Sequence, residues 1–181
     1  MIVVGGKDKF QIEFGFGMMT KSSNFELQFL CMKMKVLPAL VMGIFGGMMY
    51  VLARFLPFGE FDFFGRKELA YFLLGLGVLV VFIAVFQFLS AKTTTNPVQL
   101  NKTSNLVTGG IYKYTRNPMY LGMLLFLLAF GLMLGNAFNT LLAAGFVSYM
   151  NRFQIKYEEK ALEELFGKEY RMYCKLTRRW F

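Results

Sequence analysis

Two long apolar runs constrain this chain more than any other feature of its sequence. Residues 36–55 and residues 69–89 are almost wholly apolar. A helix rises about 1.5 Å per residue, so a helix of either length matches a hydrocarbon core roughly 30 Å thick. Pro38 falls in the first turn of the first run, where a helix tolerates proline. We therefore predict two helices that span a membrane.

The composition of the chain agrees with this prediction. Of its 181 residues, 56% are hydrophobic and only 17% are charged, whereas soluble domains carry roughly 25% charged residues. The formal net charge of +9 is compatible with nucleic-acid binding. However, the basic residues flank apolar runs and form no continuous stripe, so membrane topology explains them better. We expect membrane lipids as partners and no nucleic acid.

The sequence contains no histidine, which limits the chemistry that it can support. A Ser-His-Asp triad, a histidine-bound metal and a histidine general base are all excluded. The two cysteines, Cys31 and Cys174, lie at opposite ends of the chain without metal-ligand spacing. We expect no metal site.

A second pair of apolar segments follows Pro118. Residues 119–134 and 137–150 are apolar, and Gly135-Asn136 between them is typical of a turn. This pattern predicts a helical hairpin. Each arm is short for a full span, so either the arms continue into their polar flanks or the hairpin enters the membrane without crossing it.

The charges of the connecting segments predict the topology. The 91–117 loop is polar and carries four basic residues and no acidic one, which indicates a cytoplasmic location by the positive-inside rule. The 56–68 connection is the natural outside loop. From Asn151 onward the chain is highly charged but keeps apolar residues at helical spacing, which favours an interfacial C-terminal helix. We expect an all-α, multi-pass integral membrane protein: two spanning helices, a cytoplasmic loop, a helical hairpin and this interfacial helix.

The first 35 residues fit this plan poorly. They contain scattered charges, no sustained apolar span and no cleavable signal pattern. We interpret residues 1–35 as an N-terminal appendage, with Met32 or Met34 as a possible natural start, and residues 36–181 as a single domain.

Two sequence blocks carry the candidate chemistry. In the first, residues 106–122, Gly109-Gly110 permits a tight turn, Arg116 offers a fixed fork for a carboxylate, and Pro118 can start a helix. The second block contains Glu158-Glu159. Taken alone, these two acids are explained by the favourable interaction of negative charge with a helix N-terminus.

Together the two blocks resemble the isoprenylcysteine carboxyl methyltransferase and phospholipid methyltransferase families, which are integral membrane enzymes that use S-adenosylmethionine. The resemblance runs from about Lys92 to Trp180. Its core is Leu-Val-Thr-x-Gly-Ile-Tyr, then Arg-Asn-Pro-x-Tyr-x-Gly, then Glu-Glu and Phe-Gly-x-x-Tyr. The prenylcysteine enzymes commonly have histidine where this chain has Ser104 and Asn117, so the motif leans toward the wider branch.

The resemblance implies a cofactor pocket and a set of reacting groups. The cofactor-binding residues are expected to be Ser104, Asn105, Leu106, Val107, Tyr112, Asn117, Pro118, Met119, Tyr120 and Glu158. We assign catalytic roles to Arg116 and Glu159. We assign substrate binding to Arg152 and to Gln154, which stands where the prenylcysteine enzymes place a substrate-contacting arginine.

The expected function is methyl transfer from S-adenosylmethionine to a lipophilic substrate at the cytoplasmic membrane face, similar to isoprenylcysteine carboxyl O-methylation. Phospholipid amine N-methylation and thiol S-methylation are the enzymatic alternatives. A non-catalytic membrane scaffold is the alternative from another class, because the glycines of the first span offer a face for a partner helix. A transporter is disfavoured because neither early span has an ionisable residue at its centre.

Overall fold

A computed structural model of the chain describes residues 38–56, 59–90 and 106–181. Six α-helices are present in these ranges: α1 (Pro38–Phe55), α2 (Arg66–Ser90), α3 (Pro118–Leu134), α4 (Asn139–Tyr149), α5 (Lys156–Phe166) and α6 (Lys168–Leu176). A 3₁₀ helix, Gly110–Lys113, precedes α3, and a π-helical segment, Met150–Ile155, joins α4 to α5. Apart from isolated single-residue bridges, the described ranges contain no β-strand. The predicted appendage, Ser104 and Asn105 lie outside them.

Helices α1 and α2 occupy the two apolar runs and are long and apolar enough to cross a membrane. The surface of α2 supports this interpretation. Its buried positions, Ala70, Gly77 and Ala84, are small and seven residues apart, whereas Phe72 and Phe82 are about two-thirds exposed. Small residues inside and large apolar residues outside suit contact with hydrocarbon rather than with water.

The helix α3 lies at the centre of the bundle and packs against α1, α2 and α4. Its closest neighbour is α2, which it meets at two glycines. A Cβ added at Gly77 would lie 2.8 Å from Cε1 of Phe126, and one added at Gly122 would overlap the side chain of Val81. The absence of a side chain at both positions therefore permits the two helices to pack tightly.

The opposite side of α3 contributes to the main apolar core. Tyr120, Leu124 and Leu127 are buried there with Phe146 and Met150 of the second hairpin arm. Phe45 of α1 meets the ring of Phe146 edge to face, with 5.7 Å between centroids. The core thus fixes α1 and α4 against the helix that begins with the Arg-Asn-Pro motif.

The connection between α1 and α2 lies against the turn between α3 and α4. The amide nitrogen of Phe61 donates to the carbonyl of Gly135 at 2.9 Å, and that of Ala137 donates to the carbonyl of Gly59 at 2.8 Å. Gly135 caps α3 in the left-handed conformation, with φ of 68°. These two loops lie at one end of the bundle, and the 3₁₀ helix and the C-terminal residues lie at the other.

The second hairpin arm does not end where its apolar run ends. Helical backbone continues from α4 through the π-helical segment into α5, so this arm continues into its polar flank. The tail differs from the single helix that we predicted, because it forms α5 and α6. Gly167 separates them with φ of 51°, a left-handed value that favours glycine and ends the first helix.

Candidate functional site

The two motif blocks meet around the carboxylate of Glu158. Tyr120, in the first turn of α3, donates its hydroxyl to Oε1 of Glu158 at 2.5 Å. Nε2 of Gln154 donates to the same oxygen at 2.8 Å. All three side chains are buried, and Glu158 is only 6% exposed. The fold therefore holds a carboxylate in a dry interior with two hydrogen-bond donors on it.

The π-helical segment is the local reason for this placement. A π-helix has about one residue more per turn than an α-helix, which changes the direction of the side chains that follow. Such single-turn π-helical segments are frequent at functional sites. It also removes the helix N-terminus that the sequence suggested for Glu158 and Glu159, because the backbone before Lys156 is already helical. The prediction that these two acids interact with a free helix N-terminus is therefore wrong. Their contacts with other side chains explain their positions instead.

Glu159 lies between two arginines. Its carboxylate is 3.0 Å from Nη1 of Arg116, and Arg179 forms two parallel hydrogen bonds to it, at 2.8 Å through Nε and at 2.5 Å through Nη2. The bond to Glu159 raises the pKa of Arg179 above its ordinary value, so this guanidinium stays charged. Two positive groups share one negative group, so this cluster has an excess of positive charge.

Arg116 makes a further contact through the same nitrogen that contacts Glu159. Its Nη1 donates to Sγ of Cys174 at 2.7 Å. Its Nε is buried and has no hydrogen-bond partner among the described residues. A buried cationic N–H without a partner is costly, which makes it a natural place for an anionic group of a ligand.

The last residues of the chain fold back over the Arg-Asn-Pro motif. We call residues 177–181 the C-terminal strap. The carbonyl oxygen of Arg179 accepts hydrogen bonds from the side chains of Thr115, at 3.0 Å, and Asn117, at 3.2 Å. The indole of Trp180 donates to Oδ1 of Asn151 at 3.1 Å. The strap thus ties the start of α3 to the segment that carries Glu158.

The 3₁₀ helix of the first motif is held from two directions. Oε1 of Gln87, near the end of α2, accepts the amide N–H of Ile111 at 3.1 Å. The hydroxyl of Tyr173 donates to the carbonyl of Tyr112 at 2.6 Å. Burial raises the pKa of Tyr112 to about 12 and also raises the pKa values of Tyr170 and Tyr173. These phenols remain neutral near neutral pH.

The predicted residues do not all enter the cluster. Val107 packs against Tyr112, and Pro118 is buried at the start of α3, while Leu106 and Met119 are partly exposed beside them. Arg152 is exposed, with its guanidinium 5.8 Å from the centroid of the Phe153 ring. The structure therefore brings Gln154 to Glu158 but leaves Arg152 outside.

Sequence reasoning missed three contributors to the site. These are Gln87, Arg179 and Tyr173, which act on the motif through hydrogen bonds from distant positions in the chain. Gln87 had a visible signal, because a polar residue near the end of an apolar span needs a partner, and Tyr173 follows the second motif block closely but was given no role. Arg179 was one basic residue among many in a charged tail.

Comparisons with known proteins bear on the same region. The sequence model of the phospholipid methyltransferase family matches residues 65–169. Over 62 residues the chain is 50% identical to an uncharacterized protein of Haemophilus influenzae, in an alignment that covers 34% of this chain and 98% of that relative. Over 75 residues it is 39% identical to the Protein-S-isoprenylcysteine O-methyltransferase of Schizosaccharomyces pombe.

The alignment with the fission-yeast protein covers 41% of this chain and 32% of that relative, so the chain matches about a third of its length. No solved structure matches the chain. The family match begins just before α2 and ends in α6. It includes both motif blocks and stops before the C-terminal strap.

Proposed function

Because the chain belongs to the phospholipid methyltransferase family, we propose that it is a membrane enzyme that transfers a methyl group from S-adenosylmethionine to a lipophilic acceptor. The observation that carries this proposal is the convergence of both motif blocks on Glu158 and Glu159. A scaffold would have no need of a buried carboxylate, Glu158, beside a partly buried one, Glu159, because such groups are costly beside a membrane.

The residues of the site fit the polar groups of this cofactor. The buried Nε of Arg116 and the excess positive charge around Glu159 suit its carboxylate. Glu158 suits its ammonium group or its ribose hydroxyls. When bound, S-adenosylmethionine supplies a methyl group on a sulfonium, an electrophile that needs no metal and no histidine.

The chain then has to orient the reactants and exclude water. In-line displacement depends on alignment, which Tyr120 and Gln154 support by fixing Glu158 in one position. Because Glu158 already accepts both of these hydrogen bonds, we assign it to binding and positioning rather than to proton removal. The strap excludes water from the start of α3.

The acceptor that we favour is a carboxylate on a lipophilic molecule that arrives laterally from the bilayer, as in isoprenylcysteine carboxyl O-methylation. Such an acceptor is already an anion, so no general base is needed. The family match also supports a phospholipid amine as acceptor, in which case the amine must first lose a proton. A lipophilic thiol is the remaining enzymatic alternative.

Labelled S-adenosylmethionine tests this proposal directly. The full chain in nanodiscs would be incubated with total lipid extracts, a prenylcysteine analogue and phosphatidylethanolamine in separate reactions. We expect label to enter the organic phase, as a base-labile ester if the acceptor is a carboxylate and as a base-stable product if it is an amine. A scaffold would transfer no label to any of these acceptors.

We further propose that the site end of the bundle faces the cytoplasm. The basic residues of the 91–117 loop and of the tail support this orientation through the positive-inside rule. The loop after α1 and the turn after α3 share the other end of the bundle. An arrangement in which α1, α2, α3 and α4 each cross the membrane, with the start of α1 on the cytoplasmic side, is consistent with this orientation.

A further inference from the structure

The tail helix α6 presents a surface that the described part of the chain leaves exposed. Met172 and Leu176, one helical turn apart, are 58% and 81% exposed. The basic residues Lys168, Arg171 and Lys175 lie beside them and are exposed as well. We call these five residues the outer face of α6. Exposed apolar residues flanked by basic ones are typical of a helix that lies in the plane of a membrane surface.

The positive charge of this outer face is only partly neutralised within the chain. Arg171 has an acidic partner, because its Nη1 lies 3.3 Å from Oε1 of Glu163. Among the described residues, Lys168 and Lys175 form no ion pair. The one acid of α6, Glu169, is about 100° round the helix from Lys168. The two lysines therefore attract an anionic partner from outside the chain.

The residues next to the end of α6 have the same character. The hydroxyl of Thr177 donates to the carbonyl of Lys113 at 3.3 Å, so the end of α6 lies beside the 3₁₀ helix of the first motif. Lys113 is exposed, and Tyr114 after it is 79% exposed. Tyrosine and lysine are both common where a bilayer meets water.

The inner face of α6 contacts the candidate site. Tyr170 and Tyr173 are buried there, and the hydroxyl of Tyr173 donates to the carbonyl of Tyr112 at 2.6 Å. Sγ of Cys174 accepts a hydrogen bond from Arg116 at 2.7 Å. A partner bound to the outer face therefore acts on the same helix that positions Arg116 and Tyr112.

We propose that the outer face of α6 docks on anionic phospholipid headgroups at the membrane surface, and that this contact holds the inner face against the first motif. The lysines bind the phosphates, while Met172 and Leu176 enter the boundary between headgroups and acyl chains. Helices α1 and α2 are long and apolar enough to cross a membrane. They keep the tail close to the bilayer, so docking is an intramolecular step that a weak contact can complete.

Quenching of a single tryptophan by brominated phospholipids tests the headgroup preference without any cofactor. The reference chain would carry Leu176→Trp and Trp180→Phe, since Trp180 is the only native tryptophan. It would be reconstituted in phosphatidylcholine vesicles with increasing fractions of brominated phosphatidylglycerol or brominated phosphatidylcholine. We expect phosphatidylglycerol to associate at least about fivefold more tightly, because one lysine near an anionic surface contributes about that factor. High salt should reduce this preference.

Two double variants of the reference chain separate the outer face from the general charge of the protein. Lys168→Gln with Lys175→Gln should bring the two lipids to within about twofold of each other. Lys156→Gln with Lys160→Gln removes the same net charge from α5, where Lys160 already lies 3.8 Å from Glu164. This control should keep the preference. All four lysines are exposed, so both variants should fold.

Cofactor affinity tests the effect of docking on the inner face, and this part rests on the proposed function. The native chain would be titrated with S-adenosylmethionine in phosphatidylcholine vesicles with and without phosphatidylglycerol. We expect at least about fivefold tighter binding with phosphatidylglycerol. The native chain with Lys168→Gln and Lys175→Gln should lose this gain. No cofactor binding in either vesicle would contradict the proposed function, while the quenching experiment still decides the docking surface.

Four results would overturn the proposal. Equal association of the two brominated lipids with the reference chain would show that the outer face recognises no anionic headgroup. Equal loss of preference in the two double variants would assign the attraction to the general charge of the chain. Little quenching by either lipid would show that another protein or water, rather than lipid, covers this face. Equal cofactor affinity in the two vesicles would show that docking does not act on the inner face.

Discussion

The carboxylate of Glu158 illustrates how one side chain acquires its role from the fold. In the sequence it is one of two adjacent acids in a charged tail. In the structure it is buried and accepts hydrogen bonds from Tyr120, 38 residues earlier in the chain, and from Gln154, one helical turn away. These two hydrogen bonds, rather than the conformational preference of the neighbouring residues, fix the position of the Glu158 side chain.

Removing one donor from this carboxylate should weaken both folding and binding. We expect Tyr120→Phe to lower the free energy of unfolding by about 1–3 kcal/mol, because a hydrogen bond to a charged group is lost in a buried site. Tyr114→Phe is the matched control, because Tyr114 is 79% exposed. Chemical denaturation in detergent measures both, and equal stabilities would contradict the importance of the Tyr120 hydroxyl.

The two parallel hydrogen bonds between Arg179 and Glu159 should contribute more to cofactor binding than the positive charge of Arg179 alone. We expect Arg179→Lys to weaken S-adenosylmethionine binding about tenfold, because lysine cannot form two parallel bonds and leaves Glu159 less well positioned beside Arg116. Arg178→Lys is the control, since its side chain is exposed. Calorimetric titration of both variants provides the comparison, and unchanged affinity in Arg179→Lys would remove Arg179 from the site.

At the scale of elements, the sequence predicted which segments form helices better than it predicted the contacts between those segments. Helices α1 and α2 were predictable because length and apolarity alone set a span. The π-helical segment, the break at Gly167 and the strap were not, because each depends on tertiary contacts. Gly109-Gly110 was predicted as a tight turn, but of the two only Gly110 has a left-handed φ, of 57°, and its neighbour is Gln87.

The glycine pair offers a controlled test of the contact between α2 and the first motif. We expect Gly110→Ala to destabilise the protein by about 1–3 kcal/mol, because alanine is strained at this φ and its Cβ would overlap the amide of Gln87. Gly109→Ala should be nearly neutral, because Gly109 has φ of −86° and nothing lies within 4 Å of its added Cβ. Similar unfolding midpoints for the two variants would mean that Gln87 does not fix this segment.

At the scale of the whole molecule, the bundle separates two ends with different chemistry. One end carries the motif cluster and most of the basic tail, and the other carries the short loops. The sequence predicted this division through loop charges, because basic residues favour the cytoplasmic side. It did not predict which residues of the two motif blocks touch, since helix packing and the course of the strap determine those contacts.

The proposed orientation predicts which positions an impermeant thiol reagent reaches from outside intact cells. With Cys31 and Cys174 replaced by serine, we expect labelling at Phe64→Cys and none at Lys175→Cys until the cells are opened. Both native residues are exposed in the structure and lie at opposite ends of the bundle. Labelling of Lys175→Cys in intact cells would show that the topology is the reverse of the one proposed.

The central claim is that the cluster around Glu158 binds S-adenosylmethionine, and calorimetric titration of the purified full chain measures this most directly. We expect saturable binding by the native chain and at least about tenfold weaker binding by Glu158→Gln, which keeps an acceptor oxygen for Tyr120 but loses the negative charge. Glu163→Gln, at an exposed ion pair with Arg171, should bind normally. No binding by the native chain, or the same affinity in Glu158→Gln as in Glu163→Gln, would contradict the assignment of this site.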